Sequence, residues 1–493
     1  MADTRVTNAE KGRPTSPDDI VVPKEAWRAL WALVLGFFMI LVDSTIVSVA
    51  TPSLMRAFNA GIDTVVWVTS AYLLAFAGPM LITGRLGDRI CPKRVYMIGL
   101  VVFTLSSVWC GLTGTLGLGI GWLVGARVLQ GLGGSMMSPQ TMTVIARIFP
   151  PQKRGGAMAI WGSVAGVASL VGPILGGLLI DSVGWEWIFL INLPVGMIGC
   201  YAVWKFIPDL RGSERTRFDG IGFLLFGAAM VLITIAMEGL GELHLPHLRV
   251  MLLLFGGLAC LAAYWLRAGH IDNPLFSPVL FKTRTFAVGI LGNLFARLGS
   301  GALPFLVPLL LQVALGYSPS EAGMSMLPLA AAAMFAKSVA RPLIERLGYR
   351  IVLTGNTLAL GIMLASMGLV TEHTPYPLLL GMLAVLGAIN SLQFTAMNTV
   401  TLIDLDDAQA SSGNSLLSVV AQLSLSLGVA CAGALLGGFT AETGNDGVST
   451  VLGAFQLTFL TVGIMAMLAA AIFLQLSPKD GKRAASPDQH IEH

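Results

Sequence analysis

Two residues of opposite charge lie inside long apolar stretches of this chain. Asp43 is in the stretch FFMILVDSTIVSVATP, and Arg127 is in GIGWLVGARVLQGL. A charge in hydrocarbon costs at least a few kcal/mol unless it meets a partner or water, so each residue needs a neighbour. A carboxylate that is both buried and close to a guanidinium can be adjusted to exchange protons near neutral pH, whereas the guanidinium keeps its proton. The pair could therefore bind and release a proton, or it could only lock two helices together.

The predicted depths of these residues permit them to meet. Pro52 marks the predicted outer end of the first apolar helix, nine residues after Asp43. Leu118 marks the predicted outer start of the fourth, nine residues before Arg127. At 1.5 Å per residue, each charge would lie about 14 Å below the same surface.

The composition places these charges in a membrane protein. The chain has 493 residues, of which 55% are hydrophobic and only 12% are charged. A soluble domain is about a quarter charged, so the composition excludes a soluble enzyme, a disordered chain and a small disulfide scaffold. Five cysteines lie far apart without a CxxC pair, so no redox or metal site is expected. We expect an all-α integral membrane protein.

Apolar runs of about 20 residues predict transmembrane helices. Fourteen runs are predicted, near 28–50, 63–83, 95–115, 118–140, 156–180, 187–207, 221–240, 249–268, 286–314, 321–340, 351–371, 375–398, 412–438 and 452–475. Lys and Arg favour the cytoplasmic side, and 26 of the 30 fall on the tails and on alternate loops that share one side. Both termini are therefore predicted to be cytoplasmic. The loop 403–407, which has three acidic residues and no basic one, is an exception on that side.

An internal repeat divides the fourteen runs. GRLGDRICPKRV (84–95) matches RPLIERLGYRIV (341–352) at an offset of 257, and the same offset places Gly156 on Gly413. Transporters are often built from repeated halves, so we predict two six-helix bundles with a two-helix insert between them. The predicted boundaries are a tail at 1–26, a bundle at 27–207, a linker at 208–220, an insert at 221–268, a second bundle at 269–475 and a tail at 476–493.

Four motifs carry a family resemblance. They are LVDSTIVSVATP (41–52), GRLGDRICPKR (84–94), LVGARVLQGLGG (123–134) and GSVAGVASLVGPILGG (162–177). With these motifs the chain resembles the major facilitator superfamily, and within it the fourteen-span drug:proton antiporter branch of the EmrB/QacA type. The segments at 281–312 and 411–428 are most similar to the MdtD-type exporters.

This resemblance implies a transporter that exchanges protons for amphipathic small molecules or drugs by alternating access, with Asp43 and Arg127 carrying the proton coupling. The proton gradient would be its energy source, and no cofactor is implied. Conformational gating is implied for a loop, its second copy and a glycine-rich helix, although solvated charges and simple helix packing would explain the same residues. These residues are Gly84, Asp88, Arg89, Glu345, Arg346, Gly166, Gly172 and Pro173.

The resemblance also implies a location and partners. The location is a bacterial inner membrane, and the partners are a small-molecule substrate, protons and the lipid bilayer. No nucleic acid is expected, and an accessory periplasmic protein stays open. The loop motif departs from the family pattern at Cys91, where a glycine is usual, and at Pro92, where a basic residue is usual. We therefore expect Pro92 to make this turn.

Polar residues within the apolar runs are candidates for lining a substrate cavity. They are Gln130, Asn192, Asn293, Arg297, Gln312, Gln393 and Asn398. Arg297 is a second intramembrane cation. It could repel cationic cargo, bind anionic cargo, or be inert because backbone carbonyls cap it.

Other functions stay open on the same fold. An anionic cargo would suit an exporter of a specific metabolite or metal chelate. A facilitator or symporter is disfavoured by the motif at 162–177, and a receptor or scaffold is disfavoured by the intact pair of charges. A membrane enzyme is not expected, because the chain has no HExxH, no phosphate-binding GxxxxGK[ST] and no histidine in the middle of a predicted span.

Overall fold

The computed structural model describes residues 22–210, 219–241, 247–271, 274, 276–405, 407–443, 448–477 and 480 of the chain. Within these residues the chain is helical and has no β-strand, so the predicted all-α class is confirmed. The helices are α1 (Lys24–Phe58), α2 (Ile62–Ala77), α3 (Met80–Arg89), α4 (Pro92–Thr115), α5 (Ile120–Ile148), α6 (Pro151–Ser182), α7 (Trp187–Leu190), α8 (Asn192–Phe206), α9 (Gly220–Gly241), α10 (His247–Ala268), α11 (Arg284–Leu309), α12 (Pro319–Ser325), α13 (Leu327–Leu347), α14 (Tyr349–Met367), α15 (Tyr376–Leu402), α16 (Asp407–Thr443) and α17 (Val448–Phe473). A 3₁₀ turn, Pro278–Lys282, precedes α11, and a π-helical segment, Leu310–Ala314, continues it. Most of both predicted tails, and residues 211–218 of the predicted linker, lie outside the described residues.

The described helices suit a lipid bilayer. Eleven helical stretches in this part of the chain are long and apolar enough to cross a membrane. Two further apolar helices are shorter, Thr64–Ala77 and Gly220–Ile233. The 29-residue helix α5, which contains Arg127, is not among the eleven. The chain is therefore a membrane protein with many spans.

The first helix is longer than the sequence predicts. α1 continues through Pro52 to Phe58, and Asn59 ends it in a left-handed conformation with φ 46°. A proline removes one backbone hydrogen bond, which a membrane helix tolerates when other groups satisfy the freed carbonyl. The prediction that Pro52 ends this helix is wrong, and so is the depth estimate built on it. Asp43 lies fifteen residues before the end of α1, and Arg127 lies seven residues into α5.

Helices of the two predicted repeats begin at matching positions. α4 begins at Pro92 and α14 begins at Tyr349, which is 257 residues later. The junctions before them differ, because Cys91 is extended with φ −175° whereas Gly348 has φ 78°. Glycine adopts the left-handed region without steric cost, so the second junction needs one and the first does not. Pro92 occupies the first position of α4, where a missing N–H leaves no hydrogen bond unmade.

Close helix contacts gather α1, α4, α5 and α8 around Asp43. α1 packs on α5, α6 and α8, and α5 packs on α2 and α4. A Cβ on Gly131 would overlap the carbonyl oxygen of Tyr72 in α2, and a Cβ on Gly133 would lie 2.6 Å from the backbone nitrogen of Phe103 in α4. The LQGLGG motif therefore lets α5 approach both neighbours.

The helices after the predicted insert pack in a comparable way, and we call α1–α8 and α11–α17 the two halves of the described chain. α11 packs on α15 and α16, α15 packs on α13 and α14, and α17 packs on α14. The halves touch where α6 packs on α12 and where α2 packs on α16. α9 and α10 pack on each other, and α9 also packs on α16.

Candidate functional site

Asp43 and Arg127 form a fully buried ion pair. Nη1 of Arg127 donates to Oδ2 of Asp43 at 2.5 Å. The exposed fraction of each side chain is 0%. Apolar side chains from α1, α5 and α7 surround the pair, among them Val42, Ala126 and Ile188. The structure thus brings together, from different helices, the two charges that stand out in the sequence.

Three more polar side chains complete the surroundings of the Asp43 carboxylate. Oδ1 of Asp43 accepts hydrogen bonds from Nε2 of Gln130 at 2.8 Å and from Nδ2 of Asn192 at 3.0 Å. Oγ of Ser107 accepts from the same two amides, at 3.1 Å and 2.9 Å, and donates to the carbonyl of Phe189 at 2.9 Å. We call Asp43, Arg127, Gln130, Asn192 and Ser107 the Asp43 network. It links α1, α4, α5 and α8.

Gln130 and Asn192 reach the Asp43 network from well-defined positions. Gln130 lies one turn after Arg127 in α5, and its Oε1 accepts from Nη1 of that arginine at 2.6 Å. Asn192 begins α8, directly after the break that separates it from α7. Pro194 follows in the first turn of α8, where a residue without an N–H is tolerated. Both amides are predicted to line a cavity, and the structure places them in the network, 0% and 3% exposed.

The guanidinium of Arg127 also has contacts on its other sides. Nε donates to the carbonyl of Val68 in α2 at 3.0 Å. The guanidinium carbon lies 4.1 Å from the ring centre of Tyr72 and 5.7 Å from that of Phe189. Aromatic faces stabilise a cation where water is excluded. Arg127 therefore has several favourable contacts besides its ion pair with Asp43.

Arg297 is the buried arginine of the second half, and its surroundings differ. Nε donates to Oδ1 of Asn293 at 3.0 Å, and the guanidinium carbon lies 4.3 Å from the ring centre of Phe394. Within the described residues Nη2 has no hydrogen-bond partner, which is also true of Nη2 of Arg127, so the difference between the two arginines is the counter-charge. Among the described residues, no Asp or Glu forms an ion pair with Arg297. No hydrogen bond to a backbone carbonyl caps its guanidinium there either.

The remaining predicted cavity residues lie outside the Asp43 network, and each has different surroundings. Nε2 of Gln312 donates across the two halves to the carbonyl of Val49 at 2.9 Å. Nε2 of Gln393 donates to Oγ1 of Thr357 at 2.7 Å, which joins α15 to α14. Oδ1 of Asn398 is buried without a partner in the described part of the chain. None of these side chains belongs to the Asp43 network.

α6 contacts both halves through its predicted gating residues. A Cβ on Gly172 would overlap Oγ1 of Thr45 in α1. A Cβ on Gly166 would lie 3.1 Å from Cγ of Met334 in α13. The carbonyl oxygen of Pro173 approaches Gly323 in α12, where a side chain would overlap it. All three residues lie at helix contacts, and the last two of these contacts join the halves.

The halves meet toward the end of α6 and part toward its start. A Cβ on Gly177 would overlap the carbonyl oxygen of Pro319. Asp181 accepts from the backbone nitrogen of Ser320 at 2.9 Å and also from its hydroxyl. Near the start of α6, a Cβ on Gly162 would have no atom of the described chain within 4 Å. Gly162 therefore makes no close helix contact within the described residues, although it belongs to the same glycine-rich motif as Gly166.

The first copy of the predicted latch lies in and after α3. Gly84 packs on α5, since a Cβ there would lie 3.4 Å from Cβ of Pro139. Arg89 is exposed. The side chain of Asp88 lies outside the described residues.

The second copy lies at the end of α13. Oε1 of Glu345 accepts from Nε of Arg341 at 2.8 Å, within the same helix, and both side chains are exposed. Arg346 is exposed as well. Both copies therefore have exposed charged side chains, and the hydrogen bond of Glu345 is made within its own helix.

The sequence offers no signal for Ser107. Its neighbour Ser106 is the same residue type in the same apolar run, yet it donates to the carbonyl of Val102 in its own helix at 2.7 Å. A serine in a helix commonly makes such a bond, so sequence reasoning cannot separate the two. Only the packing of α4 against α8 shows that Ser107 belongs to the site.

Cysteines and other metal-binding side chains are dispersed. All five cysteines are free. Within the described residues, no three His, Cys, Asp or Glu side chains lie close enough to hold a metal ion.

Comparison with known sequences identifies related proteins. A family model described as "Major Facilitator Superfamily" matches residues 33–267 and 289–491. A protein named "Putative multidrug resistance protein MdtD" from Pectobacterium carotovorum subsp. carotovorum (strain PC1) is 39% identical over 458 residues, which cover 93% of this chain and 97% of that protein. The protein of the same name from Escherichia coli O157:H7 (strain EC4115 / EHEC) is 39% identical over 451 residues, which cover 92% and 94%.

Comparison with solved structures identifies the same fold. A bacterial homolog to the human lysosomal transporter Spinster, in an inward-facing and unoccupied conformation, aligns with a TM-score of 0.68 over 95% of this chain and 100% of that one. A structure described as inward-facing and occupied aligns with a TM-score of 0.63 over 90% and 95%. Sequence identity is 18% in both cases, so the likeness concerns the fold.

Proposed function

Since the chain belongs to the major facilitator superfamily, a family of transporters and not of enzymes, we propose that it is a proton-coupled antiporter that exports amphipathic small molecules by alternating access. The buried pair of Asp43 and Arg127 is the observation that supports this function best. A carboxylate with no exposed surface, bound to a guanidinium and two amide donors, is costly to maintain for packing alone, because apolar residues of similar size would often be as stable. Its retention in the centre of a transporter is typical of an ion-coupling site.

Protonation of Asp43 changes the forces between four helices. The neutral acid no longer attracts Arg127, and one of its oxygens becomes a hydrogen-bond donor. A proton on Oδ2 weakens the hydrogen bond from Arg127, and a proton on Oδ1 weakens those from the amides of Gln130 and Asn192. The contact of α1 with α5 therefore weakens when a proton binds, and the contact with α8 weakens as well when the proton is on Oδ1.

α6 offers a direct route from Asp43 to the boundary between the halves. Val42 and Thr45, close to Asp43 in α1, are the residues that Gly172 of α6 packs against. Gly166 and Pro173 of the same helix contact the opposite half. A shift of α1 on protonation would thus move the helix that seals the halves together. We propose that the protonated form favours one orientation of the transporter and that cargo favours the other.

The proposed architecture has fourteen transmembrane segments, arranged as two six-helix units with α9 and α10 inserted between them. The matching starts of α4 and α14 support the repeat, and the bias of Lys and Arg supports cytoplasmic termini in a bacterial inner membrane. Alkaline phosphatase fused at residue 244 should be active, because that loop is expected to be periplasmic, and a fusion at residue 214 should be inactive. The opposite pattern would reverse the orientation. No cofactor is proposed beyond the proton gradient, and an accessory periplasmic protein stays a prediction of the resemblance.

The other predicted site residues enter the proposal in two groups. Gating is assigned to Gly84, Asp88, Arg89, Gly166, Gly172, Pro173, Glu345 and Arg346. Gln130 and Asn192 are assigned to the proton site, and contacts with cargo are assigned to the remaining predicted cavity residues, which are Asn293, Arg297, Gln312, Gln393 and Asn398.

Proton release on cargo binding tests the antiporter function. Purified protein in weakly buffered detergent is mixed in turn with a lipophilic cation, a neutral drug and an anionic chelate while the pH is recorded. We expect release from the wild type with at least one compound, and no release from Asp43→Asn although that variant still binds the compound.

Asp219→Asn is the matched control, because Asp219 is also buried and pairs with Arg267 at 3.4 Å outside the Asp43 network. Release should persist in this control. Binding without release in both the wild type and Asp43→Asn would show a structural role for Asp43 and would favour a facilitator.

A further inference from the structure

Arg297 is a buried cation that the proton site does not use. Only 4% of its surface is exposed, and its hydrogen bond to Asn293 is made with a neutral side chain. Its Nη2 is unbonded, and no carboxylate of the described chain pairs with it. A desolvated cation without a counter-charge is unfavourable, so this site is incomplete until an anion arrives.

The ring beneath Arg297 faces the interior of the bundle. Phe394 is 47% exposed although it lies in the middle of α15. It follows the exposed Val385 by nine residues, so at about 100° per residue the two side chains lie on opposite sides of the helix. Ser391 and Thr401 are on the same side as Phe394. The first donates to a carbonyl of α13 at 2.6 Å, and the second accepts from an amide side chain of α11 at 3.5 Å. Phe394 therefore looks between α11 and α13, away from the outer face of α15.

A third polar group lies beside this ring. Asn398 follows Phe394 by four residues, one turn along the same side of α15, and its Oδ1 is also without a partner in the described chain. The interior side of the second half thus holds a buried cation, an exposed aromatic face and an amide whose Oδ1 is buried and unbonded. Among the described residues no acidic side chain balances the cation.

These groups select a particular chemistry. A guanidinium without a counter-charge binds carboxylate, phosphate or sulfonate through charge-assisted hydrogen bonds. The exposed ring of Phe394 offers an apolar surface for the body of the same molecule. A cationic compound would be repelled by Arg297, because Arg127 alone of the two buried arginines is neutralised by an ion pair.

We propose that Arg297 and Phe394 bind the anionic head and the adjoining apolar part of the cargo, so that the exported compounds are amphipathic anions. This inference rests on the proposed transport function and specifies its substrate class. An anion at Arg297 would neutralise the unpaired charge of this arginine. The two halves would therefore close more favourably around bound cargo than without it.

Three dansyl probes of similar apolar structure but different charge test the inference. Dansylglycine is anionic, dansylamide is neutral and dansylcadaverine is cationic. Binding is measured by fluorescence titration to the full chain in phosphatidylcholine nanodiscs, where no anionic lipid headgroup competes. We expect the wild type to bind dansylglycine at least ten times more tightly than dansylamide, and dansylcadaverine most weakly. Added phosphatidylglycerol should leave this order of affinities unchanged. If the added lipid abolished the preference for dansylglycine, the site would be assigned to an anionic lipid headgroup.

Substitutions locate the preference. Arg297→Gln should abolish the preference for dansylglycine, and Phe394→Leu should lower the affinity for all three probes. Arg249→Gln, which removes an exposed arginine of α10, should behave like the wild type. If Arg297→Gln does not fold, Arg297→Lys replaces it in the test. This variant should bind dansylglycine several times less tightly than the wild type does, and its affinity for dansylamide should be unchanged. A wild type without anion preference, or a preference that survives in Arg297→Gln, would overturn the inference.

Failure of this inference can be told apart from failure of the proposed function. Proton release with dansylamide equal to that with dansylglycine would leave the antiporter standing and remove the anion site. Tight, Arg297-dependent binding of dansylglycine without proton release would keep the anion site and count against proton coupling.

Discussion

Among the described residues each half of the molecule buries one arginine between its helices, and only Arg127 has a counter-charge. Arg127 pairs with Asp43 at 2.5 Å, inside a network that also occupies the other carboxylate oxygen. Arg297 has a neutral amide and an aromatic ring, with Nη2 unbonded. The first site has its counter-charge within the protein, although Nη2 of Arg127, like that of Arg297, has no hydrogen-bond partner among the described residues. The second is completed by something from outside, so the two halves divide proton binding and cargo binding between them.

Removal of Arg127 should have the largest effect in this comparison. Arg127→Ala leaves Asp43 buried without a counter-ion, which is expected to cost about 3–5 kcal/mol of unfolding free energy and to abolish export. Thermal unfolding of the purified protein and export from cells are the measurements. Arg249→Ala, in an exposed position, is the control, and equal effects of both substitutions would contradict a special role for Arg127.

Removing both charges of the pair should restore part of that loss. In Asp43→Asn with Arg127→Gln, neither residue leaves an uncompensated charge, so the double variant should unfold at a higher temperature than Arg127→Ala. It should still fail to couple cargo to protons. A double variant as unstable as the single one would mean that the amide donors, not the charges, hold the helices.

The contact that joins the halves should be the next most sensitive. Gly177→Ala places a methyl group against the carbonyl of Pro319, and overpacking of this kind costs about 1–3 kcal/mol. We expect slower export and a looser contact between α6 and α12. The looser contact is measured as faster labelling of a cysteine introduced at Ser320. Gly162→Ala, where there is open space, should match the wild type. Similar behaviour of the two variants would show that the contact between α6 and α12 does not limit transport.

Replacement of Arg297 should have a small effect on stability, and of the opposite sign. Arg297→Met removes an unpaired buried charge, so the free energy of unfolding should stay unchanged or rise by about 1 kcal/mol. The same thermal unfolding measurement applies. A loss as large as that of Arg127→Ala would reveal a counter-charge for Arg297 and would remove the difference between the halves.

The exposed pair at the end of α13 should matter least for stability. Glu345→Gln should leave the unfolding temperature unchanged, because exposed ion pairs contribute little. If the pair belongs to a latch, turnover changes while the affinity for cargo does not. Selective loss of affinity would argue against the latch, and Arg89→Gln tests the first copy in the same way.

Several local predictions from the sequence depended on assumptions that packing changed. Pro52 was a reasonable end for α1, but the helix continues to Phe58 because a single missing hydrogen bond does not break a membrane helix. Gly162 and Gly166 are four residues apart, a spacing typical of close helix contact, yet among the described residues only Gly166 meets the opposite half. A spacing defines which residues share a helix face, but it does not tell how far away the neighbouring helix lies.

The sequence by itself determined that this protein is helical and membrane-embedded, because the length of an apolar run and the placement of Lys and Arg act locally along the chain. It also determined that Asp43, Arg127 and Arg297 each need a partner, since the cost of a buried charge depends mainly on the apolar surroundings. Only the tertiary structure decided which partners they have. Hydrogen bonds are satisfied within about 3 Å, and residues far apart in the chain reach that distance only after the helices have packed. That packing gave Arg127 a carboxylate and left Arg297 without one.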